Sequence, residues 1–589
     1  MDMTIIDLTQ TVVNANDPRF YEDSKPIDAY KRKDKIKFYY LDEIDDVYFV
    51  TLDTYASIFK DELLEGITSS NSETNGVATW TLTKDNKEVY KIVMDANKQT
   101  MSVYSGLDAE YVKAIYNGKT GLGDYAQISE EFVEGHDNKM KTYDFGKYGF
   151  DFFEVDGKYC YPFALLAAET SKVIERSFSY LSAYQEIIEY GLPEQLETSF
   201  LINNVETMAK NYQSKAYNAQ YAVSEEDDTK VAPATLTAFN KKLFYFIMDN
   251  YYGLAKEKNI KSMSAYFENF KESEDFLSTN GKIRGSAYNR AIQMLNDMHT
   301  SYTYATFQFS EYAASDGSAA YSQTFANNRN ELYTLLSTYK KDVINQYNAA
   351  NSSDLKAEDV RYSKDNKYAY FSFDGFTTYN YFGEGEISEE SRIEDSYFLF
   401  VRNLNEAKAK GVKNVIIDIS TNGGGYVTIM GKLLALMSKD NKSEMFIRAD
   451  DNDSIQKITT RVDSNRDGKF DASDCYGNDF TFYLVSSNYS FSCGNAFPFY
   501  AKLYGFATIV GQKSGGGECC VFSYTFPTGQ GLGYSSPYHL GYYEPNEKKY
   551  YGDEAGASPA IPITDPFYQI YDVDVLGARI DRYKEGFNH

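Results

Sequence analysis

The sequence predicts an α/β core in its C-terminal part, preceded by a helical region and by a β-rich N-terminal region. From about residue 366, apolar strand-like runs alternate with amphipathic helix-like runs, which is typical of a sheet covered by helices. Earlier in the chain, apolar residues recur first at strand spacing and then at helix spacing. The length of 589 residues exceeds what one hydrophobic core supports, so we expect several domains of about 100–200 residues each.

Residues 1–190 show strand patterns broken by polar turns. Two segments, 38–50 and 150–161, share one hairpin pattern: apolar alternation, an acidic or Asp-Gly turn, and apolar alternation again. A helix-like run follows each of them. The chain contains 55 tyrosines, a residue that suits half-buried strands. No catalytic constellation is present here, so we expect a β-rich non-catalytic module.

Residues 191–365 are predicted to be mainly helical. The acidic stretch 225–228 separates two helical segments and is typical of a solvated linker. Further on, apolar residues recur at helical spacing up to the segment 296–300. They are Ala287, Tyr288, Ala291, Ile292 and Leu295.

From residue 366 to residue 589 the predicted strands and helices alternate. The strand predicted at 415–419 is almost continuously apolar, as expected for a strand covered on both faces. Further strands are predicted at 368–373, 482–486 and 508–510, and a helix at 392–409. Two more helices are predicted, each after a turn that follows a strand. This order is that of an α/β protein.

The charge of the chain excludes two classes of partner. Lys and Arg number 59 and Asp and Glu 85, which gives a net charge of −26. Because no basic stripe is present to neutralise phosphates, we predict no nucleic-acid partner and no binding to an anionic membrane surface. No apolar run approaches the ~18–20 residues of a membrane span, so we expect no membrane-spanning segment.

Two turns between a strand and a helix carry residues suited to catalysis. The first, residues 418–425, ends in three glycines and presents backbone N–H groups at a helix start, where an oxyanion can be held. Most glycine turns, however, are only turns. In the second, residues 490–495, Ser492 lies where a base can activate it and a helix dipole can stabilise developing negative charge. The structural alternative is that Ser492 only caps its helix.

Together these turns resemble the C-terminal processing peptidases, also called tail-specific proteases. In that family a strand ends in Asp and a Gly-Gly pair, and a later strand leads to Ser-x-Ser, whose second serine is catalytic. A Tyr-Gly, an apolar strand and a Val-Gly follow. Here Ser490-Phe491-Ser492, Tyr504-Gly505 and Ala507-Thr508-Ile509-Val510-Gly511 keep this register without a gap. Residues 532–534 and 553–559 are similar to the closing strand and acidic end of the family.

The resemblance implies a ClpP/crotonase-like core of strand–helix repeats at 366–589, acting as a serine endopeptidase on peptides or proteins. Members usually carry a PDZ domain before this core. Here Leu332, Leu336 and Val343 lie at helical spacing within 310–365, which leaves too few residues for a PDZ barrel.

The general base does not lie where most members have it. The usual lysine would fall, in register from Ser492, at Gly517, and the nearest lysine, Lys513, lies four positions earlier (517 − 513 = 4). The tricorn-type branch has a histidine on the first core strand, and that position is Ser372 here. Neither expected base is present.

His299 is the base that the resemblance suggests instead. Residues 295–302 resemble a helix-end element of the branch that includes chlamydial protease-like activity factor, where this histidine is the base and a glutamate orients it. Glu554 matches that glutamate. Because the pKa of imidazole lies near neutrality, such a base predicts activity rising through about pH 6–7. The alternatives are that His299 only caps its helix, or that His539 is the base.

The resulting hypothesis gives each residue a role. Ser492 attacks the peptide carbonyl, His299 moves the proton, Glu554 orients His299, and the N–H groups of Gly424 and Cys493 bind the oxyanion. The alternative is a catalytically inactive peptide- or ligand-binding protein on the same fold. An α/β-hydrolase esterase is disfavoured because no Gly-x-Ser-x-Gly surrounds Ser492.

Residues 463–474 have the pattern of an EF-hand-like calcium loop, similar to the loops of dockerin modules. Oxygen-bearing side chains lie at positions 1, 3, 5, 9 and 12, and glycine lies at position 6. The alternative is an acidic solvated turn. We expect one structural Ca2+ in an insertion between core strands. Its ligands would be Asp463, Asn465, Asp467, the Lys469 carbonyl, Asp471 and Asp474.

The start of the chain does not identify a cellular location. Residues 1–15 carry no signal-peptide pattern, and this start fits an intracellular protein or a processed one equally. From the family resemblance we expect an extracellular or cell-envelope protein whose signal peptide has been removed.

Overall fold

The structure is a computed structural model, and it describes most of the chain. The described residues are 3–12, 21–22, 25–26, 30–41, 47–59, 63, 65–105, 126–135, 139–173, 176–181, 186–191, 231–303, 323–377, 395–450, 453–528, 531–563 and 567–586.

A six-stranded sheet, which we call the parallel sheet, forms the centre of residues 361–562. All neighbouring strands run parallel except the first pair. The predicted alternation of strands and helices from residue 366 is observed. In spatial order the strands are Arg361–Tyr362, Tyr368–Ser372, Asn414–Asp418, Thr481–Ser486, Ala507–Gly511 and Ile561–Pro562.

Apolar side chains cover both faces of the parallel sheet. Along Tyr368–Ser372, Ala369 and Phe371 pack on one face while Tyr368 and Tyr370 pack on the other, as the two-residue period of a strand requires. The first face contacts the helices Ser396–Ala409, Val427–Met437 and Cys493–Leu503. The second contacts Gln323–Asn351 and Val573–Lys584. Burial on both faces explains why the strand sequences are nearly continuous apolar runs.

A second, seven-stranded sheet joins segments that are distant in the sequence. Its main order is Ala126–Glu134, Ser454–Val462, Ser443–Ala449, Gly531–Glu544 and Ser301–Thr303. Cys519–Thr525 and Lys549–Gly552 also pair with Gly531–Glu544. Strands from all three predicted regions therefore share one sheet. The boundaries near residues 190 and 365 remain predictions, and strand pairing crosses both.

Both predicted N-terminal hairpins are present. Tyr30–Leu41 pairs with Tyr48–Thr51, and Phe153–Val155 pairs with Lys158–Pro162. The helices Leu52–Ser57 and Phe163–Val173 follow them. The hairpins lie in one sheet ordered Phe153–Val155, Lys158–Pro162, Tyr48–Thr51, Tyr30–Leu41, Met3–Val12, Glu186–Gly191 and Arg176–Leu181.

The other described N-terminal strands form two smaller sheets. A five-stranded sheet is ordered Lys141–Asp144, Thr100–Ser105, Lys87–Asp95, Val77–Lys84 and Ile67–Thr74. A two-stranded sheet consists of Tyr21–Glu22 and Lys25–Pro26.

The predicted helical region contains the helices Ala234–Tyr251, Met263–Glu268, Gly281–Gln293 and Gln323–Asn351. We call the last of these the long helix. The predicted acidic linker, Glu225-Glu226-Asp227-Asp228, lies outside the described residues. Within the described ranges, no helix is both long and apolar enough to cross a membrane.

Candidate active site

The turn of residues 418–425, here called the glycine turn, leaves the C-terminal end of a central strand. Two side chains shape it: Asp418 Oδ1 accepts the Ser420 N–H at 2.8 Å, and Asn422 Oδ1 accepts the Gly424 N–H at 2.9 Å. Gly424 has a φ of 115° and Gly425 a φ of 135°. L-residues with a side chain rarely adopt such angles, so the turn requires glycine there.

The turn of residues 487–492, here called the serine turn, leaves the neighbouring strand and is hydrogen-bonded to the glycine turn. Ser487 Oγ donates to the Ser420 carbonyl at 2.5 Å, and Ser490 Oγ donates to the Ile419 carbonyl at 2.7 Å. Because parallel strands end at the same edge of a sheet, the two turns meet there.

Ser492, the last residue of the serine turn, has a strained backbone. It has φ 57° and ψ −126°, outside the regions favoured by residues with a side chain, and the helix Cys493–Leu503 starts directly after it. Its N–H donates to the Gly516 carbonyl at 2.9 Å, and its own carbonyl accepts the Ala496 N–H at 2.8 Å. A Cβ added to Gly424 would lie 3.2 Å from Ser492 Oγ. The hydroxyl therefore lies directly against the glycine turn.

A glycine-rich segment, residues 514–518, covers the serine turn from the other side. The Gly515 N–H donates to the Ser490 carbonyl at 2.7 Å. Asn495 Oδ1 accepts the Ser514 hydroxyl at 2.6 Å and the Gly516 N–H at 3.2 Å. All of these groups stabilise the position of the serine turn.

Gly517 is the position at which the register from Ser492 would have placed the usual lysine of the resembled family. A Cβ at this residue would come within 2.5 Å of the Phe491 ring. The space in front of Gly517 is thus filled by an aromatic ring, and this conformation has no room for a lysine side chain there. Lys513 is exposed, and Ser372 is buried with its Oγ donating to the Ala357 carbonyl at 2.9 Å.

His299 lies on the turn after the helix Gly281–Gln293. Its ring packs on the ring of Phe491, the residue before Ser492, with a centroid distance of 4.7 Å. Its Nδ1 is buried and has no hydrogen-bond partner among the residues that the structure describes. Burial lowers the pKa of His299 to about 4, and the positive charge of Arg329 acts in the same direction against the opposing effect of Asp297. The ring is therefore neutral at pH 7.

Glu554 lies next to the glycine-rich segment. Its Oε2 accepts the Gly517 N–H at 3.0 Å and the Glu518 N–H at 2.9 Å. Burial raises the pKa of Glu554 above its usual value, and the negative charge of Glu518 adds to the rise. In this structure Ser492, His299 and Glu554, all of them described, are not joined to one another by hydrogen bonds.

His539, the rival base, is held in a separate charged group. Its Nδ1 lies 2.7 Å from Glu518 Oε1 and its Nε2 lies 3.4 Å from Asp450 Oδ2. Burial alone would lower the pKa of His539, but hydrogen bonds to Asp450 and Glu518 raise it to about 9. The ring is fully buried, with Nδ1 hydrogen-bonded to Glu518 and Nε2 within ion-pair distance of Asp450, so it is poorly placed to act on Ser492.

Sequence reasoning missed two cationic residues on the long helix that contact these turns. Arg329 donates to carbonyls of the serine turn, and Lys340 pairs with Asp418 and binds Thr421 in the glycine turn. A signal was present: Lys340 lies four residues after Leu336 and four before Ile344, both of which are buried. A lysine in the apolar stripe of a helix predicts a buried partner.

The predicted calcium loop, residues 463–474, lies between the strands Ser454–Val462 and Thr481–Ser486. Gly468 has a φ of 80°, which the sharp turn at position 6 of such a loop requires. Asp463 accepts the N–H groups of Asp467 and Gly468, and the buried Asp474 accepts that of Asn465. Across the described ranges no three His, Cys, Asp or Glu side chains gather closely enough to hold a metal ion. The glycine conformation agrees with the predicted loop, but the carboxylates would have to move closer together to bind an ion, so the calcium site stays a prediction.

Comparison with known families identifies the segment that carries both turns. Residues 380–561 match the model of peptidase family S41. The match spans 182 residues (561 − 380 + 1) of the 589, and it includes Ser492 and Glu554 but not His299. This part of the chain is similar to peptidase family S41, and the protein is a serine peptidase. No curated protein matches the chain.

Several solved structures share parts of the fold. A protein from Parabacteroides merdae ATCC 43184 named as a peptidase is 17% identical, with a TM-score of 0.37 over 59% of this chain and 96% of its own. Mature CPAF complexed with lactacystin is 10% identical, with a TM-score of 0.38 over 60% and 98%. The photosystem II D1 C-terminal processing protease is 13% identical, with a TM-score of 0.26 over 38% and 49%. At these values nothing about the activity or the site follows from the likeness.

The contact between Gly424 and Ser492 generates a prediction. In Gly424→Ala the new Cβ would lie 2.8 Å from Ser492 Cβ at a φ of 115°. We expect thermal unfolding to show a destabilisation of about 1–3 kcal/mol, together with a loss of activity.

Gly423→Ala is the matched control, because a Cβ there would meet only the Tyr489 ring at 3.8 Å. It should unfold within about 0.5 kcal/mol of the wild type. Equal effects of the two substitutions would show that the close approach at Gly424 is not a constraint.

Proposed function

We propose that the protein is an endopeptidase in which Ser492 forms an acyl-enzyme with the substrate. The backbone conformation of Ser492 is the observation that carries this proposal. A serine at φ 57° and ψ −126° costs on the order of 1–3 kcal/mol, and such strain persists mainly at functional sites. A strained serine between a strand and a helix is also how a nucleophile is exposed in hydrolases of another fold. A serine that only capped its helix would need no such strain, and Ser492 makes no side-chain cap hydrogen bond.

The same geometry supports an oxyanion site at the two turns. The N–H of Cys493 lies in the first turn of a helix, where partial positive charge favours an anion. The N–H of Gly424 lies beside Ser492 but donates to Asn422 Oδ1 at 2.9 Å. A substrate oxyanion would therefore compete with the Asn422 amide for this proton. We propose Gly424 and Cys493 as the two donors.

We propose His299 as the general base. It is neutral at pH 7, it is in ring contact with the residue before Ser492, and its Nδ1 has no competing partner in the described part of the chain. Its hydrogen bond to Ser492 would form in the substrate complex, as catalytic hydrogen bonds often do. Glu554 is proposed to orient it. That role requires Glu554 Oε2 to leave the N–H groups of Gly517 and Glu518, or to share its lone pairs with them.

The nucleophile is tested by a covalent serine probe. A fluorophosphonate should label the wild-type protein at Ser492, as mapped by mass spectrometry of the digested protein, because only an activated serine reacts. Ser492→Ala should lose both the label and the hydrolysis of fluorescein-labelled casein while unfolding normally. Ser558→Ala, at an exposed serine outside the site, is the control and should keep both.

The same experiment tests the alternative of a catalytically inactive binding protein on this fold. Absence of label together with retained peptide binding would favour that alternative and contradict our proposal. The family match does not favour it.

The base is tested by the pH dependence of kcat/KM. With a pKa of about 4, His299 loses its proton below the range of an exposed histidine, so activity should rise near pH 4 and not at pH 6–7. His299→Ala should cost about as much as Ser492→Ala, because members of a triad act as a unit. Glu554→Gln should cost less, since it transfers no proton.

Lys513→Ala and His539→Ala are the discriminating variants. If Lys513→Ala or His539→Ala abolishes turnover while His299→Ala has a mild effect, the residue replaced in that inactive variant is the base, and His299 is not.

The folded state also loses stability as the pH falls from about 6.5 to about 4, because only the unfolded chain protonates His299 there. Activity should therefore be measured after brief pH jumps.

We also propose one structural Ca2+ in residues 463–474. With it we propose an extracellular or cell-envelope location, because calcium sites of extracellular modules bind with a Kd of about 10⁻⁴–10⁻³ M. Calorimetric titration should show binding of one ion by the wild type and none by Asp467→Ala. Asp479→Asn, a nearby acidic residue outside the loop that pairs with Lys408, should bind like the wild type. No heat in the wild type would refute the site.

A further inference from the structure

The long helix Gln323–Asn351 places two cationic residues on the same side. Arg329 and Lys340 are eleven residues apart, which is about three turns and about 16 Å along the helix axis. Leu336, between them, and Ile344, beyond them, are buried, and Leu336 packs against the parallel sheet and its covering elements. The side that carries both cations therefore faces the protein interior.

Arg329 contacts the serine turn. Its guanidinium donates to the Tyr489 carbonyl at 2.8 Å and to the Asn488 carbonyl at 3.3 Å. It also lies over two rings of that turn, 4.3 Å from the centroid of Tyr489 and 5.2 Å from that of Phe491. A planar guanidinium can make two hydrogen bonds and stack at the same time, which fixes both the backbone and the rings that precede Ser492.

Lys340 contacts the glycine turn. Its Nζ lies 3.2 Å from Asp418 Oδ2, 3.1 Å from Asp374 Oδ1 and 2.5 Å from Thr421 Oγ1. The lysine side chain is 5% exposed and that of Asp418 is not exposed at all. Burial acts to lower the pKa of Lys340, but the charges of Asp418 and Asp374 outweigh it and the pKa is raised. The lysine is therefore charged, and its position is fixed by three partners.

We infer that the long helix is part of the catalytic apparatus, with Arg329 and Lys340 as positioning residues that hold the serine turn and the glycine turn in register. This inference rests on the function proposed above. Arg329 fixes the turn that ends in the nucleophile. Lys340 fixes the turn that carries an oxyanion donor. Because both cations belong to one rigid helix, the helix acts together with the direct hydrogen bonds between the two turns to fix their distance.

The register of the two turns matters for the reaction because attack and oxyanion binding must occur together. Ser492 Oγ and the N–H of Gly424 belong to different turns, and neither turn is regular secondary structure. A displacement of about 1 Å at a reacting group can cost about 100-fold in rate. Loss of either cation should therefore lower kcat more than it raises KM.

Arg329 has a second effect, which a purely structural contact would not have. The groups that act electrostatically on His299 are Asp297 on its own turn and Arg329 from the long helix, while Phe491, which packs on its ring, carries no charge. Burial is the largest cause of the low pKa of His299, and the charge of Arg329 lowers it further. Removing that charge should move the acid limb of the activity to higher pH.

The first test separates charge from geometry at Arg329. Arg329→Lys keeps the charge but cannot make two hydrogen bonds and stack, and Arg329→Met loses both properties. We expect both variants to lower kcat on labelled casein, and the rate of fluorophosphonate labelling of Ser492, by about 10–100-fold, with KM changed by less than about threefold. Only Arg329→Met should shift the acid limb of the labelling rate upward.

The second test concerns Lys340. Lys340→Met should slow labelling of Ser492 by about 10–100-fold. Because this variant leaves Asp418 buried without its partner and can fail to fold, the double variant Lys340→Met with Asp418→Asn is made as well. The double variant removes both charges of the pair and should still label slowly. Lys341→Met, at the exposed neighbouring lysine, is the matched control and should label at the wild-type rate.

The outcomes distinguish the two hypotheses. If the wild type is labelled at Ser492 while the folded Arg329 variants and the folded double variant label within about twofold of Lys341→Met, the role of the long helix is refuted and the proposed function stands. If the wild type is not labelled at Ser492, the proposed function fails and this inference fails with it. Slow labelling in a folded variant, with the upward pH shift confined to Arg329→Met, supports the inference.

Discussion

The strained backbone of Ser492 is the constraint on which the rest of the site depends. A residue with a side chain adopts φ 57° and ψ −126° only when its surroundings leave it no better choice. Here the surroundings are hydrogen bonds from three segments. The glycine turn accepts the hydroxyls of Ser487 and Ser490, the glycine-rich segment binds the N–H of Ser492, and the helix that follows binds its carbonyl. The free energy of these bonds offsets the strain and leaves the hydroxyl of Ser492 against Gly424.

Close backbone approach explains the glycines around this serine. A Cβ at Gly494 would lie 2.5 Å from the Asn422 carbonyl, and one at Gly517 would lie 2.5 Å from the Phe491 ring. The same ring contacts His299 and lies beneath Arg329. Phe491 thus occupies the space in front of Gly517, where the family resemblance led us to look for a lysine, and it contacts both the proposed base and the cation that acts on that base.

The charged side chains of the long helix that contact the two turns are positive, whereas the chain as a whole is strongly negative. The protein carries a net charge of −26, yet the two turns are contacted by a guanidinium and a buried ammonium. A buried lysine is stable only with partners at hand, and removing one partner of such a pair usually costs far more than the pair contributes. The helix that carries Arg329 and Lys340 is therefore tied to the site by charge as well as by apolar packing.

The local elements, and the turns that carry the candidate chemistry, were predictable from the amino-acid sequence. Continuous apolar strands such as Asn414–Asp418, both N-terminal hairpins and the strand–helix alternation were predictable, because each depends on a period of two or 3.6 residues within one segment. The register from Ser490 to Gly511 also carried the resemblance to a peptidase family, which the match of residues 380–561 supports. The contacts between these elements became visible only in the folded structure. It showed that Ala126–Glu134 joins a sheet of the core, that His539 is committed to Glu518 and Asp450, and that Lys340 pairs with Asp418. Such contacts join residues far apart in the chain, and no periodicity within one segment encodes them. The low pKa of His299 could not be predicted from the sequence for the same reason. It results from burial among side chains that are distant from His299 in the chain.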